Sequence, residues 1–237
     1  MLDLIHRQKA FITEIFSSIQ GEGIFLGAKQ IFVRFRDCNL SCAYCDEKRD
    51  GPSKEFTPLE LISEIKFLEL SQGPHHSVSL TGGEPLLYSD YLKTLLKSLK
   101  KENLKGYLET NGTLPDKLDE VIDLVDIIAM DIKLPSSTGH KAYWKEHLAF
   151  LKIAVRKKVF VKAIVTPKTK MSDIRDAALL VSKVDRNIPF ILQPVTAIAP
   201  GKDINKDVLL KFAEVGARNR LENVRVIPQV HKMLGVK

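Results

Sequence analysis

DCNLSCAYCDEK (37–48) holds every cysteine of the chain, Cys38, Cys42 and Cys45, in a C-x3-C-x2-C spacing. It follows IFVRFR (31–36), a β-branched and aromatic run that reads as a strand, so the loop opens at a strand's carboxyl end. Three thiols cannot all pair as disulfides, and a closed tetrahedral zinc site needs four ligands. A zinc reading would recruit His75, His76 or His231, and no pair of these has finger-like spacing. Buried structural cysteines have no need to crowd into one loop. Ligation of a compact iron–sulfur cube explains the crowding, because a short loop must wrap one object. Three thiolates then satisfy three irons and leave the fourth open.

Outward from this loop, short β-rich runs alternate with longer amphipathic runs. FITEIF (11–16) reads as a strand, followed by a glycine-rich loop, SSIQGEGIFLGAKQ (17–30). Its glycines miss the G-x-G-x-x-G dinucleotide spacing by one place. TPLE (57–60) announces a helix, with Thr57 as cap, Pro58 at the first turn and Glu60 closing a capping box. Leu61, Ile65 and Leu68 continue it as an apolar stripe. Further strands are read at 77–80, 106–109, 126–133, 159–165, 189–195 and 224–228. Helices are read at about 90–101, 115–124, 140–157 and 205–219, with one opened by Ser172 and Asp173 and running to Val184. Strands alternating with helices imply a parallel sheet. About six βα units fall short of a closed eight-unit barrel, so the expected fold is α/β, a partial, open β/α barrel. The cysteine loop, TGGEP (81–85), ETNG (109–112), MDIK (130–133) and LQPV (192–195) all fall at carboxyl ends of strands, where parallel α/β folds assemble ligand sites.

The bulk properties fit an ordinary globular enzyme. Of 237 residues, 44% are apolar and 27% charged, and no apolar stretch approaches a membrane span. MLDLIHRQKA lacks the pattern of a secretory signal, so the expectation is a cytoplasmic protein with reduced thiols and no membrane association. The net charge of +7 permits nucleic-acid contact, but the lysines are scattered and only 7% of residues are aromatic, which argues against a stacking surface. No linker-like segment interrupts the chain. Residues 1–237 are therefore read as one domain, with 1–30 as N-terminal strand and substrate loop and 225–237 as a tail that covers the substrate.

C-x3-C-x2-C followed by TGGEP and ETNG resembles the radical S-adenosylmethionine (SAM) superfamily. FSSIQGEGIFLGAKQIFVRFRDCNLSCAYCD (16–46), MDIKLPSS (130–137), LQPV and RVIPQVHKMLGVK (225–237) narrow the resemblance to the 7-carboxy-7-deazaguanine synthase family, over nearly the whole chain. That resemblance implies a lyase of queuosine and 7-deazapurine biosynthesis, converting 6-carboxy-5,6,7,8-tetrahydropterin to 7-carboxy-7-deazaguanine with loss of ammonia. Its implied cofactors are a 4Fe–4S cluster on Cys38, Cys42 and Cys45, SAM on the open iron, and Mg2+. SAM contacts are implied for Tyr44, Gly83 and Glu84, for Asp131, Ile132 and Lys133, and for Gln193, Pro194, Val195 and Thr196. Pterin contacts are implied for Ile19, Gln20, Gly21, Thr81, the terminal Lys237 and Arg34, whose guanidinium suits a carboxylate. Glu22 is expected to assist at the pterin, and His231 with the carboxyl-terminal Val236–Lys237 to close over it. Two positions depart from the family's pattern: Asp37 replaces a glycine, and Glu47 replaces a magnesium-linked hydroxyl, which makes Glu47 the candidate Mg2+ ligand. The resemblance also implies a homodimer and an electron donor such as flavodoxin or ferredoxin. Two rival readings are an activase that installs a glycyl radical on a partner protein and a zinc-stabilised nucleic-acid-binding module.

Overall fold

The computed structural model describes residues 8–46, 51–196 and 204–236. The described residues open with a hairpin. β1 (Ala10–Ile19) and β2 (Lys29–Phe35) pair antiparallel, from Ile12 opposite Phe35 to Ile19 opposite Lys29. The link between them holds only a 3-10 turn (Gly23–Phe25), too short for the crossover that a parallel pair needs. β3 (Lys54–Phe56), a strand not anticipated from the sequence, pairs antiparallel with the start of β1. From β2 onward the expected alternation holds. β2, β4 (Ser77–Gly82), β5 (Gly106–Thr110), β6 (Ile127–Asp131), β7 (Lys158–Val165), β8 (Phe190–Pro194) and β9 (Val224–Val226) run parallel in that order. The sheet ends at β3 on one side and β9 on the other, an open partial barrel.

The helices are α1 (Pro58–Gln72), α2 (Ser89–Lys101), α3 (Pro115–Asp119), α4 (Pro135–Thr138), α5 (Trp144–Ala154), α6 (Met171–Val184), α7 (Lys206–Arg218) and α8 (Val230–Leu234). α1 carries the anticipated capping box: Glu60 N donates to Thr57 Oγ1 at 3.3 Å and Thr57 N to Glu60 Oε2 at 2.7 Å. Other boundaries moved. The segment read as one helix over 115–124 is α3 followed by a 3-10 turn (Ile122–Leu124), and that over 140–157 shortens to α5, with α4 before it. Ser172 and Asp173 do not cap α6, which starts one residue earlier. The Asp173 carboxylate instead accepts from Ser136 N at 2.9 Å and Ser136 Oγ at 2.6 Å, tying α6 to α4. Among the described residues no helix is long and apolar enough to cross a membrane.

Two cores flank the sheet. The larger lies between strands and helices, around residues such as Leu80, Leu92, Ile128 and Val161. The smaller lies on the inner face: Tyr107, Ile127, Ala129, Phe160 and Ile191, plugged by Ile24 and Phe25 of the 3-10 turn. Phe25 meets Tyr107 edge-on at 5.8 Å between ring centroids. Because side chains alternate along a strand, the next inward positions toward the carboxyl ends are Glu109, Asp131 and Lys162. The inner face therefore changes from an apolar floor to an ionic layer within one strand step, and that layer positions the site.

Candidate active site

Above the ionic layer the carboxyl ends of the strands enclose a cavity of about 190 Å3. The three cysteines enter from the β2 loop and all line it; none is in a disulfide. The loop is held from several directions. Glu84 N donates to Asp37 O at 2.7 Å, Ala43 N to Thr138 O at 3.0 Å, and Ser41 N to His140 Nε2 at 3.1 Å. Tyr88 Oη also donates to the Asp37 carboxylate, so the aspartate that departs from the family's glycine is built into the loop's support. Asn111 of the ETNG segment reaches toward Cys38 Sγ at 3.9 Å while donating to Asn39 Oδ1 at 2.8 Å. Burial pushes the Cys42 thiol up, against the pull of Lys133. A thiol of raised pKa is a poor free nucleophile, whereas metal coordination deprotonates it outright. Three thiols on one cavity, with Asn111 beside one sulfur, suit a cluster held through three sulfurs and open at its fourth iron.

Gly83 allows this approach. A Cβ there would lie 2.0 Å from Asp37 O, so no side chain fits between TGGEP and the cysteine loop. Glu84 does not line the cavity. It is fully buried behind the wall, where its carboxylate accepts from Asn111 N at 2.8 Å, Leu86 N at 3.1 Å and Thr110 Oγ1 at 2.9 Å. Burial raises it to about 7 despite those donors. The fold binds this proton more tightly than the unfolded chain, so Glu84 costs stability as pH rises from about 4.5 to about 7, by about 3 kcal/mol. Denaturant midpoints at pH 5 and pH 7.5 check this: the parent should lose more stability over that interval than Glu84→Gln. An equal loss in both would remove Glu84 as the source.

Tyr44, Gly83, Asp131, Lys133 and Val195 line the cavity among the residues implied for SAM. Lys133 Nζ pairs with Asp131 Oδ2 at 2.9 Å and stands 5.8 Å from the Tyr44 ring. Burial lowers Lys133, but Asp131 outweighs it and holds the ammonium well above its usual range. Ile132 and Gln193 are wholly buried and do not line the cavity, and neither do Pro194 and Thr196. The Gln193 amide meets no hydrogen-bonding partner among the described residues, on either its oxygen or its nitrogen.

Of the described residues implied for the pterin, Ile19, Gln20, Gly21, Arg34 and Thr81 line the cavity and Val236 does not. Glu22 and His231 line it too. Arg34 Nε lies 3.2 Å from Glu14 Oε2, with its guanidinium 5.5 Å from the Phe16 ring centroid. The tail closes over the β1–β2 turn. Val230 N donates to Gly21 O at 3.0 Å, and a Cβ on Gly21 would strike His231 Nδ1 at 2.1 Å. Gln229 Nε2 donates to Glu22 Oε1 at 3.0 Å, and Lys232 pairs with Asp46 at 2.6 Å beside the cysteine loop. Glu47 and Lys237 lie outside the described residues.

Sequence reasoning passed over Lys162, His147 and Gln229. Lys162 was legible as the one charge within VFVKAIV (159–165), at alternate spacing from Phe160. His147 is buried and held neutral, pushed down to about 4 by burial, with Nε2 3.1 Å from Asn111 O. No local signal marks it, because it reaches the site from the outer helix α5.

The chain matches the Radical SAM superfamily over residues 32–181. It is 40% identical to a 7-carboxy-7-deazaguanine synthase of Geobacter sulfurreducens, across 95% of this chain and 97% of that protein. It is 35% identical to one from Methanothermobacter thermautotrophicus, across 97% and 98%. Among solved structures, QueE from Escherichia coli superposes with a TM-score of 0.64 at 21% identity, covering 96% of this chain and 97% of that one. Streptococcus suis SuiB bound to S-adenosylmethionine gives 0.56 at 20% identity, covering 81% of this chain and 45% of that one. Both structures share the fold.

Proposed function

The chain belongs to the radical SAM superfamily and, within it, to the 7-carboxy-7-deazaguanine synthase family, and from that premise we propose that it converts 6-carboxy-5,6,7,8-tetrahydropterin to 7-carboxy-7-deazaguanine and ammonia. The observation that carries the reading is the convergence of three cysteine thiols, Arg34 and the Gln20–Glu22 turn on one cavity. Family likeness across nearly the full length supports it over a glycyl-radical activase or a zinc module. The cofactors are a 4Fe–4S cluster and SAM, and enzymes of this type also use Mg2+. When bound, the cluster and SAM supply a hydrogen-abstracting radical; the protein's task is to position and shield.

Cys38, Cys42 and Cys45 hold the cluster through sulfur. Lys133 and Asp131 present donors and acceptors to SAM, and Gly83 lets it approach the backbone. Arg34 binds the pterin carboxylate through its guanidinium, while Gln20 and Glu22 meet the polar edge of the ring. The tail residues Gln229 and His231 exclude water above the β1–β2 turn. Substrate equals product plus ammonia, atom for atom, so the conversion needs no net oxidant. The protein works as a cytoplasmic homodimer acting on a small molecule, with a flavodoxin- or ferredoxin-like protein as reductant and no nucleic-acid or membrane partner.

Oxygen-free turnover of 6-carboxytetrahydropterin with mass analysis of the product tests the assignment; SAM cleavage without the deazapurine would refute it. Arg34→Ala is expected to raise the pterin KM about 100-fold, the scale for losing a charge-assisted hydrogen-bond pair. Reductant-driven SAM cleavage without pterin should stay within about twofold. Loss of that cleavage would place Arg34 on the SAM side instead.

A further inference from the structure

Lys162 sits on β7, opposite Asp131 in the sheet register, and is 3% exposed. Its ammonium lies 2.6 Å from Glu22 Oε2, 3.3 Å from Glu109 Oε2 and 3.6 Å from Asp131 Oδ1. All four side chains line the cavity. Each carboxylate is also tied elsewhere by its other oxygen. Glu109 Oε1 accepts from Gln20 Nε2 at 3.0 Å and from Ser79 Oγ at 3.1 Å. Glu22 Oε1 accepts from Gln229 Nε2, and Asp131 Oδ2 pairs with Lys133. One nitrogen therefore joins the β1–β2 turn, β5, β6 and, through them, the tail and Tyr44's neighbour Lys133.

We propose that Lys162 is a positioning residue that makes the two halves of the cavity one charged unit: its single ammonium bridges Glu22, Glu109 and Asp131 and couples the Glu22 turn to the SAM-side Asp131–Lys133 pair. The physical reason is like-charge crowding. Three carboxylates around one buried point repel, and burial disfavours each ionised form. Lys162 reverses this for Glu22: burial alone would raise that carboxyl, but the ammonium with Gln229 holds it at about 2. Burial likewise works against Lys162, and Asp131, Glu22 and Glu109 together keep it charged. The other ionisable groups facing this cluster are Lys133, Tyr44, Cys42 and His147 around Asp131, His231 near Glu22 and Tyr107 in the layer below.

Lys162→Met keeps an unbranched stem and deletes the charge. Infrared difference spectra between about pH 6 and 9 should then show a protonated-carboxyl band additional to the parent's. The consequence for substrate rests on the function proposed above. The pterin KM should rise at least about tenfold at neutral pH and fall back as pH increases and the carboxylates ionise, an ionisation additional to any in the parent. Lys162→Arg, which keeps the charge, should remove the extra band and the extra ionisation. Should Lys162→Met fail to fold, Lys162→Met/Glu22→Gln, which deletes one repelling carboxylate, carries the same comparison against Lys162→Arg. No additional band, or an arginine variant indistinguishable from the methionine one, overturns the proposal. The infrared arm needs no substrate, so a parent that fails to turn over the pterin sinks the function and leaves this inference standing or falling on the carboxyl band alone.

Discussion

Cys42→Ala, purified without oxygen, is expected to be colourless, to hold little iron, and to release no methionine from SAM under reducing conditions. The parent should be brown, with about four irons per chain after reconstitution. The expected loss is complete because each thiolate satisfies one iron and nothing nearby replaces it. Among the described residues no group of three His, Cys, Asp or Glu side chains is arranged to hold a single metal ion, so the site has no ready alternative ligand set. The loop itself should survive, since its supports run through Asp37, Ala43 and Ser41 rather than through Cys42 Sγ. A thermal transition close to the parent's apo form, together with lost iron, would separate ligation from folding. A Cys42→Ala protein that keeps the chromophore and cleaves SAM would remove Cys42 from the cluster.

The second large effect lies in a single methyl group. Gly83→Ala is expected to destabilise the fold by about 3 kcal/mol or more and to lower cluster occupancy together with it. The Gly83 backbone is not in the left-handed region, so the cost is steric rather than conformational. The added Cβ would meet Asp37 O at 2.0 Å, Asp37 C at 2.6 Å and Arg36 O at 2.9 Å, all of them backbone atoms. Neither segment yields easily, because Gly83 N donates to Phe35 O at 2.6 Å and Glu84 N to Asp37 O at 2.7 Å. Relief by shifting Asp37 would displace its neighbour Cys38. Denaturant unfolding of the apo form reads the first effect and iron content the second. Parent-like values in both would mean that the two loops separate without cost.

Much of this was legible locally. The capping box of α1, the apolar strands and the strand-end clustering of the cysteine loop, TGGEP, ETNG and MDIK are written in short-range spacing, and hydrophobic periodicity carries that information directly. The antiparallel start was open to inference from the short link between β1 and β2, but alternation of strand and helix masked it. β3 is three residues long, below the length at which a period of two can be recognised. The role of Glu84 was read as ligand contact from its motif, whereas packing turned its carboxylate away from the cavity and onto the backbone of Asn111.

By itself, the sequence determined where the strands end, which loop gathers the thiols and which residue types reach the site, because those depend on neighbours within a few positions. Only the tertiary structure decided that Lys162 stands among Glu22, Glu109 and Asp131, that His147 backs Asn111, and that Gln229 closes on Glu22. The reason is that Coulombic and hydrogen-bonding contacts are set by sheet order and register, which bring together residues 53, 140 and 207 positions apart in the chain.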